Sequence, residues 1–178
     1  MSYRPICDFW FLARAKLKGG KKYYGAYLGG FPERARALLG VSINDPVLHV
    51  CGGMAKLYPY EGGFGPNDKT LDLNSFCEPD YLQDARLPFP TGFDAILIDP
   101  PYSPQDAEHY SVAGGAAVYP TPNQLVKNAL NALNIGQRVG IIHYALPAAH
   151  GARFVACVAI ACGFNNRLRC YSVFEKTE

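Results

Sequence analysis

Short apolar runs alternate along the chain with clusters of Gly, Pro, Asn and Asp, and this punctuation sets out the expected elements. Pro46–Cys51, Ala95–Ile98 and Gln137–Tyr144 are apolar stretches of strand length, while Lys69–Asn74 and Pro79–Gln83 are shorter strand candidates. Phe31–Gly40 has proline near its start, Glu33 in the first turn and glycine at its end, which predicts a short helix. Thr121–Leu133 sets Leu125, Ala129, Ala132 and Leu133 on one face behind a Thr cap and Pro122, which predicts a crossover helix. Arg153–Cys162 is rich in alanine. Phe154, Val155, Val158 and Ile160, followed by the breaker Gly163–Asn166, nevertheless predict the first strand of a hairpin whose second strand is Arg167–Lys176. At the N-terminus, Asp8–Leu17 alternates at period two in its second half, which predicts a peripheral strand or extended arm. Strands interleaved with helices imply an α/β fold with a mostly parallel sheet.

At 178 residues and 49% hydrophobic content, the chain suffices for one well-cored domain over 1–178. No run approaches the roughly 18 apolar residues of a membrane span, and the N-terminus lacks a signal-peptide core, so a soluble, cytoplasmic protein is expected. Six cysteines without a C-x-x-C pair, mostly inside apolar runs, predict buried thiols and no metal. Net charge is +2 but unevenly spread. Residues 1–40 carry eight Lys/Arg against Asp8 and Glu33, leaving nine against thirteen acids in the core from 41 to 178. A basic N-terminal arm on an acidic body points to a polyanion partner, with an ordinary solvated surface as the alternative.

Candidate chemistry concentrates at Asp99-Pro100-Pro101-Tyr102. Two prolines stop the strand Ala95–Ile98, so the Asp99 carboxylate is held at a strand's carboxyl end, where open α/β sheets bind ligands. The Asp99 and Pro100 carbonyls face no competing N–H, and the Tyr102 ring stands beside them. Acceptors next to an aromatic plate suit a planar base with an exocyclic amine.

This tetrapeptide resembles the catalytic motif of the S-adenosyl-L-methionine-dependent amino-methyltransferases, which methylate exocyclic amines of adenine or cytosine in nucleic acid. The resemblance spans residues 46–176 and is strongest over 79–102. It implies a Rossmann-like class I methyltransferase fold with a C-terminal antiparallel hairpin, and catalysis by Asp99, Pro100, Pro101 and Tyr102. In that reading Asp99 and the Pro100 carbonyl grip the amine hydrogens, the nitrogen becomes pyramidal, and Tyr102 stacks on the base.

The cofactor site is expected on the preceding strands. Cys51-Gly52-Gly53 ends the first central strand at the cofactor-loop position, where missing β-carbons let backbone approach a ligand, although the glycine signature is thin. Breakers over Tyr58–Asp68 require any helix after that strand to be short. Asp72 falls nineteen residues after Gly53, near the spacing at which an acid meets a ribose diol. Asp84-Ala85-Arg86-Leu87-Pro88-Phe89 resembles the family's adenine corner, which implies that Asp84 accepts from the adenine amine and the Ala85 N–H meets a ring nitrogen. The resemblance also sets Tyr24-Gly25 at the methionine end of the cofactor.

Residues 103–122 contain Pro104, Gly114-Gly115, Pro120 and Pro122 without sustained periodicity, and are expected to form a lid loop over the target base. Ser103, Asp106, His109 and Tyr110 are its candidate contacts. His143, at the exit of the strand Gln137–Tyr144, is a further substrate-side candidate, either as a proton acceptor or as an interior histidine bonded to backbone. The chain has no room for a separate target-recognition domain. Specificity then rests on the lid and basic arm, or on a homodimer or partner subunit. N6 of adenine in DNA is the preferred target. RNA bases, a protein amide or other amine, and a catalytically silent cofactor-binding subunit are the alternatives.

Overall fold

The strands that are buried at every position, Val47–Val50 and Ala95–Ile98, lie in the middle of the sheet. The computed structural model describes residues 3–14, 27–57, 63–110, 119–163 and 165–178. Its strands are β1 (Ile6–Leu12), β2 (Val47–Val50), β3 (Lys69–Asp72), β4 (Tyr81–Leu82), β5 (Ala95–Ile98), β6 (Arg138–His143), β7 (Ala152–Cys162) and β8 (Asn165–Lys176). They form one sheet in the order β1-β7-β8-β6-β5-β2-β3-β4. From β6 to β4 every neighbouring pair is parallel. β8 runs antiparallel to both β6 and β7, which is the predicted hairpin, and β1 adds an edge strand parallel to β7.

Helices α1 (Phe31–Leu39) and α3 (Pro122–Ala132) cover opposite faces, and α2 (Pro104–Glu108) is a single short turn of helix. Because successive strand residues point to opposite faces, Val47, Ala95 and Leu97 meet Phe31, Ala35 and Leu39 of α1. Leu48, Val50, Ile96 and Ile98 instead meet Leu125, Val126, Ala129 and Leu130 of α3. Each buried Val, Leu, Ile or Phe here contributes about 1.5–3 kcal/mol, so a one-residue slip of either central strand would exchange two packed faces. Gly140 in β6 is required by close approach: a β-carbon there would overlap the Tyr171 hydroxyl, which reaches across the sheet to the Ala35 carbonyl of α1 at 3.4 Å.

After β2, among the described residues before β3, the chain makes one helical turn, a 3₁₀ turn at Ala55–Leu57, which fits the breakers downstream. A buried polar pin ties this region together. Both oxygens of Asp68 accept from Arg36 at 2.5 Å, one also accepts from His49 Nε2 at 3.0 Å, and the backbone N–H groups of Val47 and Gly65 add 3.1 and 2.7 Å bonds. Burial alone would raise the Asp68 carboxyl, but the His49, Arg36 and Gly65 hydrogen bonds hold it below the usual range.

Three expectations need correction. Arg36, counted in the basic N-terminal arm, is only 4% exposed and is neutralised by Asp68. Of the six free thiols only Cys77 and Cys162 are buried. Cys7, on the edge strand β1, is exposed and Cys51 is half-buried; Cys157 and Cys170 are half-buried because they alternate with the fully buried Val158 and Tyr171 and so face the other side of the sheet. The start of the proposed lid is helical. Ser103 Oγ accepts the Asp106 N–H at 3.0 Å and Pro104 opens α2, a cap pattern already present in the residues. Residues 111–118 of that segment lie outside the described ones. Among the described residues, no helix is long and apolar enough to cross a membrane.

Candidate active site

The chain runs β2, β3, β4 toward one edge and then returns through β5 and β6 on the other side of β2. The ends of β2 and β5 therefore flank the point where strand order reverses, which is where open α/β sheets bind ligands. Asp99 stands there, its N–H bonded to the Val50 carbonyl at 3.1 Å. The Tyr102 hydroxyl donates to Asp99 Oδ1 at 2.7 Å. Among the described residues, Asp99 Oδ2 and the Pro100 carbonyl accept no hydrogen bond. Burial pushes the Asp99 carboxyl up to about 7, against the Tyr102 hydrogen bond and the Arg169 charge, which both pull it down. Burial also raises the Tyr102 phenol, and the neighbouring Asp99 raises it further.

The other carboxylates converge on the turn after β2. Cys51 and Gly53 adopt left-handed conformations with φ of 53° and 49°. Between them, a β-carbon on Gly52 would come within 3.0 Å of His49 and 3.4 Å of Thr70, so close packing inside the fold requires glycine here. Asp72, ending β3, accepts the Gly53 N–H on Oδ2 and the Asn74 N–H on Oδ1, each at 2.9 Å. Burial raises the Asp72 carboxyl against the pull of those N–H groups. The Cys51 thiol is pushed well up, first by burial and then by Asp72, Asp99 and Asp84, so three aspartates surround one turn.

Asp84 is clasped by Arg86, with Nε at 2.9 Å and Nη2 at 2.6 Å from Oδ2, and its carboxyl is lowered by that pairing. Ala85 beside it is buried. The carbonyls of Ala85, Arg86 and Leu87 all lie 3.0–3.2 Å from Asn128 Nδ2, so α3 grips this turn. Tyr24 and Gly25 lie outside the described residues.

Of the residues expected to contact the base, Ser103 serves as the α2 cap and His109 ends that helix. Asp106 is buried and paired with Arg167 at 3.1 Å, while Tyr110 is half-buried. His143, ending β6, is 4% exposed, and its Nδ1 accepts the Ala145 N–H at 2.9 Å. The backbone-bonded assignment is thus the one found. A neutral ring in this arrangement carries its proton on Nε2, and burial lowers the His143 pKa, which favours that neutral form. The free nitrogen is therefore a donor, not the proton acceptor considered from sequence.

Three neighbours of the corner were not among the sequence candidates. Tyr144 lies 4.7 Å from Tyr102 between ring centroids, and the Arg169 guanidinium stands 5.5 Å from the Tyr102 ring centroid. Arg167 reaches the same side of β8 two residues earlier. The signal was an alternation: Arg167 and Arg169 fall on the strand face that continues into fully buried Tyr171 and Val173. Cations on a burying face mark a site. Among the described residues, no cluster of three or more His, Cys, Asp or Glu side chains is arranged to hold a metal ion.

No family model matches the chain. No curated protein matches it by sequence either. Solved structures do resemble it. TrmN from Thermus thermophilus superposes with a TM-score of 0.58 at 18% identity over 86% of this chain, which spans 50% of the TrmN chain. The yhhF protein of Escherichia coli, assigned as a methyltransferase, gives 0.55 at 9% identity over 87% of this chain and 90% of its own. The N-methyltransferase NodS from Bradyrhizobium japonicum, solved with S-adenosyl-L-homocysteine, gives 0.51 at 13% identity over 82% and 87%. The fold is the Rossmann-like methyltransferase fold, with its antiparallel terminal hairpin.

Proposed function

We propose that this protein transfers a methyl group from S-adenosyl-L-methionine to an exocyclic amino nitrogen of a nucleic-acid base, with N6 of adenine in DNA as the preferred target. One observation carries the reading. A half-buried acid at the fold's ligand edge and the adjacent Pro100 carbonyl present two acceptors that the described chain leaves unbonded.

The residues present fit the cofactor. Each Asp72 oxygen has a lone pair left for a ribose hydroxyl, and the acids around Cys51 suit a sulfonium cation. Asp84 and Ala85 would take the adenine end. When bound, S-adenosyl-L-methionine supplies an electrophilic methyl group. The rest is the work of this chain. Asp99 Oδ2 and the Pro100 carbonyl hold the two amine hydrogens, which draws the nitrogen lone pair out of the ring. Positioning of this kind is worth about 7–11 kcal/mol at best. The Tyr102 hydroxyl on Oδ1 keeps Oδ2 turned toward the amine. As positive charge develops on the nitrogen, the carboxylate stabilises it, and with a pKa of about 7 Asp99 is matched to take the released proton near neutral pH.

The decisive experiment incubates the protein with isotopically labelled cofactor and either DNA or RNA, followed by nucleoside mass spectrometry. Labelled N6-methyladenine from DNA is expected. Label in RNA alone would move the substrate to RNA. Cofactor binding with label in neither polymer would replace catalysis with the binding-subunit reading.

A further inference from the structure

We propose that His143 reads the ring nitrogen beside the target amine and so selects bases whose Watson–Crick edge is an amidine, adenine or cytosine, over guanine. This rests on the amine-methylation reading above and names the chemical feature that the base must carry.

Among the described residues, three buried side-chain polar atoms lack any hydrogen-bond partner: Arg36 Nε, His143 Nε2 and Arg169 Nε. Arg36 belongs to the Asp68 pin. The other two adjoin Tyr102, His143 edge-on with 5.7 Å between ring centroids and an 82° angle, and Arg169 at 5.5 Å from the ring. Orphan donors thus gather around the ring that holds Asp99. For His143 the proton position follows from its partner: the Ala145 N–H occupies Nδ1, so Nε2 of the neutral ring is an N–H. A buried donor without a partner costs roughly 1–3 kcal/mol. Edge-on approach to Tyr102 supplies at most a weak N–H···π contact. A ligand acceptor would remove the cost.

The sheet register says which acceptor. β5 and β6 are parallel with Ile98 opposite Ile141. His143 ends β6 two residues beyond Ile141, at the same end of the sheet where Asp99 and Pro100 leave β5, and its ring lies against Tyr102, whose hydroxyl holds Asp99. The acceptors that hold the amine and the donor on His143 are therefore neighbours on the same rim. Their complement is a group with N–H and a ring-nitrogen lone pair side by side. Adenine presents N6–H next to N1, and cytosine presents N4–H next to N3. Guanine presents N1–H on the Watson–Crick side of its amine, which sets donor against donor. Its N3 acceptor lies on the sugar side, where the ribose obstructs approach.

The test compares wild type, His143→Ala and His143→Gln on oligonucleotides carrying adenine or 1-deazaadenine, in which the ring nitrogen is replaced by C–H. Wild type should transfer roughly 10- to 100-fold more slowly to the deaza base. His143→Ala should treat the two bases within about threefold of one another, and His143→Gln, which keeps a side-chain N–H, should restore part of the preference. A purely structural histidine would lower both rates together and leave their ratio alone, and an unchanged ratio in His143→Ala overturns the proposal. Failure of wild type to methylate any base would instead sink the reaction. In that event ¹⁵N NMR of the wild-type ring decides: an Nε2 signal that shifts with adenosine but not with 1-deazaadenosine supports the proposal, and equal responses or none overturn it.

Discussion

The β3–β4 rim and the β5–β6–β8 corner differ in how their polar groups are satisfied. At the rim the chain meets its own needs. Asp72 accepts from Gly53 and Asn74, Asp80 from Thr70 and Lys56, and Asp84 from Arg86. At the corner it does not. Among the described residues the Asp99 carboxylate has Tyr102 alone, the Pro100 carbonyl accepts no hydrogen bond, and two neighbouring N–H donors are buried without partners. Groups bonded to their own backbone hold a shape whether or not a ligand is present. Buried donors left unbonded, such as His143 Nε2 and Arg169 Nε, raise the energy of the free protein, and contact with a ligand lowers it again. A rim of the first kind suits a cofactor that always docks the same way, and a corner of the second kind suits the group that reacts.

Removing the corner's acid should give the largest effect. Asp99→Ala is expected to slow methyl transfer by about 10³-fold or more while cofactor affinity in calorimetry stays within several-fold. Turnover at the wild-type rate would end the distinction between the regions. Next comes pH. The Asp99 pKa is raised by folding, so its contribution to stability is complete below about pH 4 and is lost as pH rises through about 7. The difference between wild type and Asp99→Asn in urea unfolding should change across that window by on the order of 4 kcal/mol. A flat difference would mean that the acid is not desolvated.

At the rim, Asp72→Ala should weaken cofactor binding by roughly 10- to 100-fold. It should also lower stability by about 1–3 kcal/mol, because Gly53 and Asn74 lose their acceptor. An unchanged dissociation constant would move the diol elsewhere. Arg86→Ala should do least. Its pair with Asp84 is exposed, so stability should fall by less than about 1 kcal/mol and affinity should change by about threefold or less. A large loss would show that Arg86, not Asp84, contacts the ligand.

Much of this was legible in the residues, because the relevant physics is short-ranged. Two prolines stop β5 wherever the sheet places it. Thr121-Pro122 caps α3, and a break after Cys162 separates β7 from β8, which begins at Asn165, two residues earlier than the breaker Gly163–Asn166 suggested. Cap chemistry at Ser103-Pro104 was equally local, and α2 was passed over because the prolines and glycines downstream suggested loop throughout. Arg167 and Arg169 were a different matter. They stand about seventy positions from Asp99 in the chain, and only the antiparallel return of β8 beside β6 brings them to Tyr102.

Backbone chemistry along the chain, acting over a few residues, decided where strands stop, where helices begin and that an acid with two prolines ends β5. Three-dimensional packing decided the electrostatics: that Asp99 is desolvated while Asp84 is paired, that Arg36 is buried against Asp68, and that His143 offers a proton instead of accepting one. Burial and register depend on which strands become neighbours, and that is a property of contacts between residues far apart in sequence.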